Sequence, residues 1–339
     1  MRRFALERLK EWKEKKNRKP LIIRGARQVG KTWLMKEFGA TCFEKTAYVN
    51  FDSNPRMQQI LLAISVETGV SVKSEDTLLI FDEIQEVPKA LSSLKYFCEN
   101  APEYAIVAAG SLLGVAMHKG TSFPVGKVDF MDLYPLNFQE FLCALGEERF
   151  AELLQSGDMQ MINTFASKYK DRLREYYYVG GMPEVVQSYV NDKDFGRVRE
   201  IQKDLLNYYR QDFSKHAENF LVPRLNLVWD SIPMQLAKEN KKYIYGQVRE
   251  GARAKDFELA IQWLLDCGLI HKVNRVSKPA LPLKAYLNLD AFKIYLLDIG
   301  LLIAMTDLDA RVIIDGNRIF TEFKGALTEQ YVLQQLISE

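Results

Sequence analysis

Two kinds of apolar pattern alternate along the first 135 residues. Leu21-Ile22-Ile23, Thr46-Ala47-Tyr48-Val49-Asn50-Phe51-Asp52, Thr77-Leu78-Leu79-Ile80-Phe81 and Tyr104-Ala105-Ile106-Val107-Ala108-Ala109 are short runs, most of them unbroken. Continuous runs of this length suit strands buried on both faces. Between them the period lengthens to that of a helix, over 33–38 (stopped near Gly39), roughly 55–68, and 89–100. Strands alternating with helices predict an α/β fold with a doubly wound parallel sheet. Val128 to Tyr134 is a candidate fifth strand.

Beyond Pro135 the pattern is helical to about Lys215. It opens on Asn137 and Glu140 in capping-box spacing and is broken by the tight turn that Gly180-Gly181-Met182-Pro183 requires. Helices near Asn226–Glu239 and Lys255–Leu265 then precede two expected strands, 269–273 and 284–287. Helices followed by a hairpin suggest a winged helix. Lys324 to Glu339 reads as an amphipathic helix with Leu327, Tyr331, Val332 and Leu336 on its apolar side. The expected layout is an N-terminal helix (1–19), an α/β core (20–145), a helical lid (146–218), a winged helix (219–290) and the start of a further α/β domain (291–339), inside which the chain is expected to stop.

Residues 2–19 are rich in Lys and Arg, with Leu6, Leu9 and Trp12 at helical spacing and Pro20 as the stop. Such a segment is a nucleic-acid or membrane arm, or a helix docked on the core with a solvated basic face; the second is the expectation.

Composition narrows the class. Of 339 residues 47% are hydrophobic and 27% charged, as in an ordinary soluble protein, and the net charge of +2 leaves DNA contact to local patches. Cys42, Cys98, Cys143 and Cys267 form no C-x-x-C, and His118, His216 and His271 show no metal-ligand spacing. No apolar run reaches the roughly 18 residues of a membrane span, and the N-terminus has no hydrophobic signal core. A cytoplasmic location is expected.

The chemistry concentrates in Gly25-Ala26-Arg27-Gln28-Val29-Gly30-Lys31-Thr32-Trp33, which joins the first strand to the first core helix. This G-x-x-x-x-G-K-T loop lets successive N–H groups wrap a phosphate, with Lys31 as a point charge and the Thr32 hydroxyl as a Mg²⁺ ligand. Asp82 and Glu83 end the third strand, where ligands of parallel sheets bind. Asp82 is placed to hold the metal shell and Glu83 to orient or deprotonate water. Ser111 leaves the next strand at the same edge, as a sensor of phosphate or water, or as a simple turn residue.

The P-loop, Phe81-Asp82-Glu83-Ile84-Gln85, Gly110-Ser111, Pro135-Leu136-Asn137-Phe138-Gln139-Glu140-Phe141, Gly180-Gly181-Met182-Pro183-Glu184 and Leu297-Asp298-Ile299-Gly300-Leu301-Leu302 together resemble the prokaryotic predicted AAA-type ATPases with a C-terminal domain of unknown function. The resemblance spans nearly the whole chain. It implies an AAA-like core, a helical lid, a winged helix and a restriction-endonuclease-like C-terminal domain. It also implies Lys31, Asp82, Glu83 and Ser111 as catalytic residues, and Thr32 and Asp82 as metal ligands. Gly181 and Pro183 resemble the G-x-P lid motif of related signal-transducing ATPases, in which the proline packs near adenine. One departure is plain: between Ser111 and Pro135 there is no arginine, only His118, Lys119 and Lys127, so the usual trans-acting arginine finger is not visible.

The expected function is Mg²⁺-dependent ATP binding and hydrolysis that drives a switch or small motor. One alternative is an ATP-gated DNA-binding protein using Arg249, Arg253, Lys255, Lys272, Arg275 and Lys278 of the winged helix. Another is a nucleotide-bound scaffold with little turnover. The protein partner and the oligomeric state stay open.

Overall fold

A computed structural model describes residues 1–51, 60–111, 123–237, 242–314 and 321–339, apart from the side chains of 60–63 and 321–323. It divides into two compact units, Arg2–Tyr134 and Pro135–Glu339.

The first unit begins with α1 (Ala5–Lys13), then runs β1 (Leu21–Arg24), α2 (Lys31–Cys42), β2 (Lys45–Asn50), α3 (Ile60–Thr68), β3 (Thr77–Asp82), α4 (Pro88–Asn100), β4 (Ala105–Ala109) and β5 (Asp129–Asp132). The five strands form one parallel sheet in the order β2-β3-β4-β1-β5. β3 and β4 are buried at every position, as their unbroken apolar runs require. Phe51, Leu79, Phe81, Leu91, Leu94 and Ile106 build the core over one face of the sheet.

Several boundaries differ from expectation. α1 ends at Lys13, seven residues before Pro20, because the following Lys-rich stretch offers nothing apolar to bury. α2 runs through Gly39 to Cys42; a side chain there would strike Thr46, so this glycine permits helix–strand packing and does not stop the helix. The expected start of α3 at Pro55 falls outside the described residues.

The second unit opens with α5 (Phe138–Ala144), capped as foreseen: Asn137 Oδ1 accepts from Glu140 N at 2.8 Å and Glu140 Oε2 from Asn137 N at 3.2 Å. There follow α6 (Glu148–Ser156), α7 (Met159–Thr164), α8 (Ala166–Val179), α9 (Pro183–Asp192), α10 (Phe195–His216), α11 (Val222–Ala237), α12 (Tyr245–Val248) and α13 (Ala254–Asp266). Antiparallel strands β6 (Ile270–Val276) and β7 (Leu287–Leu296) form a hairpin. α14 (Ile299–Met305), α15 (Ala310–Ile314) and α16 (Thr321–Ser338) close the unit. The second strand was expected at 284–287; residues 283–286 instead form a 3₁₀ turn, and β7 starts at Leu287 and crosses the expected boundary at 290. Asn288 and Asp290, poor strand formers, masked it. No helix among the described residues is long and apolar enough to cross a membrane.

Candidate nucleotide site

β1 delivers the chain into the loop, and α2 carries it away. Gly25 (φ +148°) passes so close to the Leu133 carbonyl that no side chain fits, and Gly30 (φ +94°) turns the chain into α2 in a left-handed conformation. Gln28 shares that region (φ +68°), where a side chain is strained. Ala26 and Val29 are buried beneath the loop, whereas Gln28 and Trp33 are exposed and Arg27 is half-buried. The Lys31 ammonium donates to the carbonyls of Gly25 (2.9 Å) and Ala26 (2.8 Å). Burial lowers its pKa to about 8, against the opposing pull of Glu83 and Asp82.

At the end of β3 the two carboxylates have different surroundings. Asp82 Oδ2 accepts from Thr32 Oγ1 at 2.6 Å and from Tyr48 Oη at 2.9 Å, while Oδ1 accepts from Glu83 N at 3.1 Å. A hydroxyl and a carboxylate oxygen side by side are a hard donor set, suited to a small divalent cation that keeps waters. Glu83 (φ +50°) leaves the strand in a left-handed conformation. Its Oε2 accepts from Gln85 Nε2 at 2.7 Å, Ser111 Oγ at 3.2 Å and Ser111 N at 3.4 Å. The sheet therefore brings Lys31, Thr32, Asp82, Glu83 and Ser111 to one edge, as the strand order dictates. Among the described residues no cluster of three His, Cys, Asp or Glu could hold a metal.

Residues 17–142 match the AAA domain family, over the span that carries this constellation. The first unit is a P-loop AAA domain. Residues 170–312 match a domain of unknown function, DUF8612, so the chain joins a P-loop AAA-type domain to an uncharacterised C-terminal part. The fold is similar to that of the Walker-type ATPase PABY2304 of Pyrococcus abyssi, with a TM-score of 0.54 at 14% identity over 90% of this chain and 95% of that one. The ORC1 protein of Aeropyrum pernix in complex with DNA aligns at a TM-score of 0.26 and 16% identity, over 98% of this chain and 93% of that one. Drosophila ORC bound to DNA aligns at 0.30 and 11%, over 85% and 90%. No curated protein sequence matches the chain.

Two further groups in the AAA domain site were assigned no role from the sequence. Tyr48 reads as an ordinary strand residue, yet β2–β3 pairing sets it beside Asp82, and burial together with that carboxylate pushes its phenol pKa up. Gln85, two residues past Glu83, is the other. Lys127 pairs with Glu99 at 2.9 Å on the surface, and His118 and Lys119 lie outside the described residues.

The glycines of the expected lid motif have a different setting. In the second unit Gly181 N donates to Asp298 Oδ2 at 2.6 Å, and Gly181 O accepts from Leu136 N at 2.7 Å. A side chain at Gly180 would strike Asp298, and one at Gly181 the Leu136 carbonyl. Asp298 also accepts from Leu301 N and from Gln334 Nε2, both at 3.0 Å. Three motifs around Leu136, Gly181 and Asp298 thus meet in one buried hub. Pro183 occupies the first turn of α9, where its missing N–H costs nothing.

Proposed function

We propose that the AAA domain binds ATP with Mg²⁺ and hydrolyses it, and that nucleotide state drives the second unit as a switch or small motor. The observation that carries this reading is the divided carboxylate pair, with Asp82 tied to the P-loop threonine and Glu83 tied to Ser111. Bound Mg²⁺ would supply charge neutralisation on the phosphates. Thr32 and Asp82 would hold it. Lys31, already bent over the loop, carries the positive charge to the β- and γ-phosphates. Glu83 takes the proton of the attacking water, and the Ser111 hydroxyl keeps that carboxylate aimed. The experiment is steady-state ATP hydrolysis by wild type, Lys31→Ala and Glu83→Gln. Both variants lose at least about 10²-fold in turnover, and Glu83→Gln still binds ATP. Turnover indifferent to Glu83 would leave a nucleotide-bound scaffold instead.

A second reading, that ATP gates DNA binding, is favoured by one observation. Arg249, Arg253, Lys255, Lys272, Arg275 and Lys278 are all exposed, along α12–α13 and the hairpin, in the order of elements found in a winged helix. Titration of duplex DNA at several salt concentrations tests it: affinity falls steeply with salt and is lost on charge reversal of Arg253 and Lys255. Binding insensitive to both would make this part a protein contact or a rigid connector.

A further inference from the structure

Just before α1, the Arg3 side chain reaches the P-loop. Arg3 is 6% exposed, and its guanidinium donates through Nη1 to Val29 O at 3.1 Å and through Nη2 to Tyr134 O at 2.6 Å. α1, which follows it, is held by its own buried residues Ala5, Leu9 and Trp12; the Trp12 ring meets Phe38 of α2 edge-on at 6.2 Å, and its Nε1 donates to Lys19 O at 3.0 Å.

Val29 is no ordinary acceptor. In a trans peptide the C=O and the N–H point in opposite directions. Fixing the Val29 carbonyl therefore fixes the N–H of Gly30, the residue at which the chain turns left-handed into α2. That N–H belongs to the series that a P-loop aims at its anion. The second acceptor ties the same guanidinium to the segment after β5, where Leu133 N donates to Arg24 O at 2.8 Å and the Leu133 carbonyl lies against Gly25. Both ends of the loop are thus braced on residues 133–134, and Arg3 makes the brace at the Gly30 end. A planar guanidinium presents its two Nη donors to these carbonyls in a fixed fork; a lysine ammonium keeps the charge but not that geometry.

We propose that Arg3 is a positioning residue for nucleotide: it touches no phosphate, yet it sets the direction of the Gly30 N–H and so the affinity of the loop for phosphate. The inference rests on the ATP-binding reading above. Its test is calorimetric titration of the full chain with Mg-ATP, for wild type, Arg3→Ala, Arg3→Lys and Leu9→Ala. The last variant loosens α1 without touching the loop, and circular dichroism confirms that each variant is folded. Arg3→Ala weakens Mg-ATP about tenfold, the scale of a lost charged hydrogen bond, and Arg3→Lys falls between it and wild type. Guanidinium ion added at millimolar concentration restores part of the loss in Arg3→Ala only. Leu9→Ala lowers the melting temperature and binds as wild type does. Unchanged affinity in Arg3→Ala, or an equal loss in Leu9→Ala, overturns the inference while the ATP-binding reading stands. Wild type that fails to bind Mg-ATP overturns both.

Discussion

Asp82 and Asp298 are both buried carboxylates, 3% and 0% exposed, and both sit in motifs that stand out in the sequence. Their partners differ. Oδ2 of Asp82 is held by two hydroxyls, Thr32 and Tyr48, whose oxygens can themselves turn to a cation or release the carboxylate to one. Asp298 is held by the backbone N–H groups of Gly181 and Leu301 and by the amide of Gln334, donors that offer a metal nothing. Burial without solvation pushes its pKa up, while those donors pull the other way. The first arrangement is open to exchange of partners; the second is closed. A carboxylate in a motif is thus evidence of chemistry only when its donors can be replaced.

The largest test of that contrast is stability. Asp298→Ala strands two backbone donors and an amide in the interior and costs about 3–5 kcal/mol in urea unfolding. Asp82→Ala, at the sheet edge, costs about 1 kcal/mol while removing nucleotide-linked metal binding. Equal losses of stability would erase the distinction.

His271 on β6 sharpens it from the other side. Burial lowers its pKa to about 4 from an ordinary 6.5, so it is neutral in the fold. The unfolded chain then binds more protons between those values, and the stability present above pH 6.5 is lost as pH falls towards 4. Relative to His271→Gln, wild type loses about 2–3 kcal/mol between pH 7 and 4.5. Parallel unfolding curves for the two proteins would show that this histidine is not buried neutral.

The smallest effect is expected at Tyr48. Tyr48→Phe keeps the ring beneath Lys36, whose ammonium lies 4.1 Å from its centroid, and removes only the hydroxyl on Asp82. Loss of an outer partner of a metal ligand weakens Mg²⁺ in the nucleotide complex about tenfold, read by Mg²⁺ titration at fixed nucleotide. An unchanged titration would mean that Thr32 and the Glu83 N–H suffice to orient Asp82.

How much of this was legible follows from range. The unbroken apolar runs of β3 and β4, the glycine spacing of the loop and the Asn137–Glu140 cap are local patterns, and each has its expected form in the fold. Tyr48 is 34 positions from Asp82, and only strand register brings them together. Arg3 stands in a basic stretch where every cation reads as solvated. The turn at Gly180-Gly181 was foreseeable, but which atoms crowd those glycines was not, because Leu136 and Asp298 come from distant parts of the chain. The glutamines of α16, which complete backbone groups elsewhere in the second unit, gave no such signal either, since their partners are far away in sequence.

Those glutamines impose a schedule. Gln330 bonds both the N–H and the C=O of Leu296, Gln334 accepts from Ile299 N at 2.9 Å, and Gln335 accepts from Phe138 N at 2.7 Å across 197 positions. At a ribosomal rate of about 5–20 residues per second, that last acceptor is made roughly 10–40 s after the donor it serves. The sheet of the P-loop unit is finished by Asp132. During synthesis the nucleotide-binding half can close while the other half still lacks the helix that satisfies it, so the nascent second unit is where a chaperone would have most to hold.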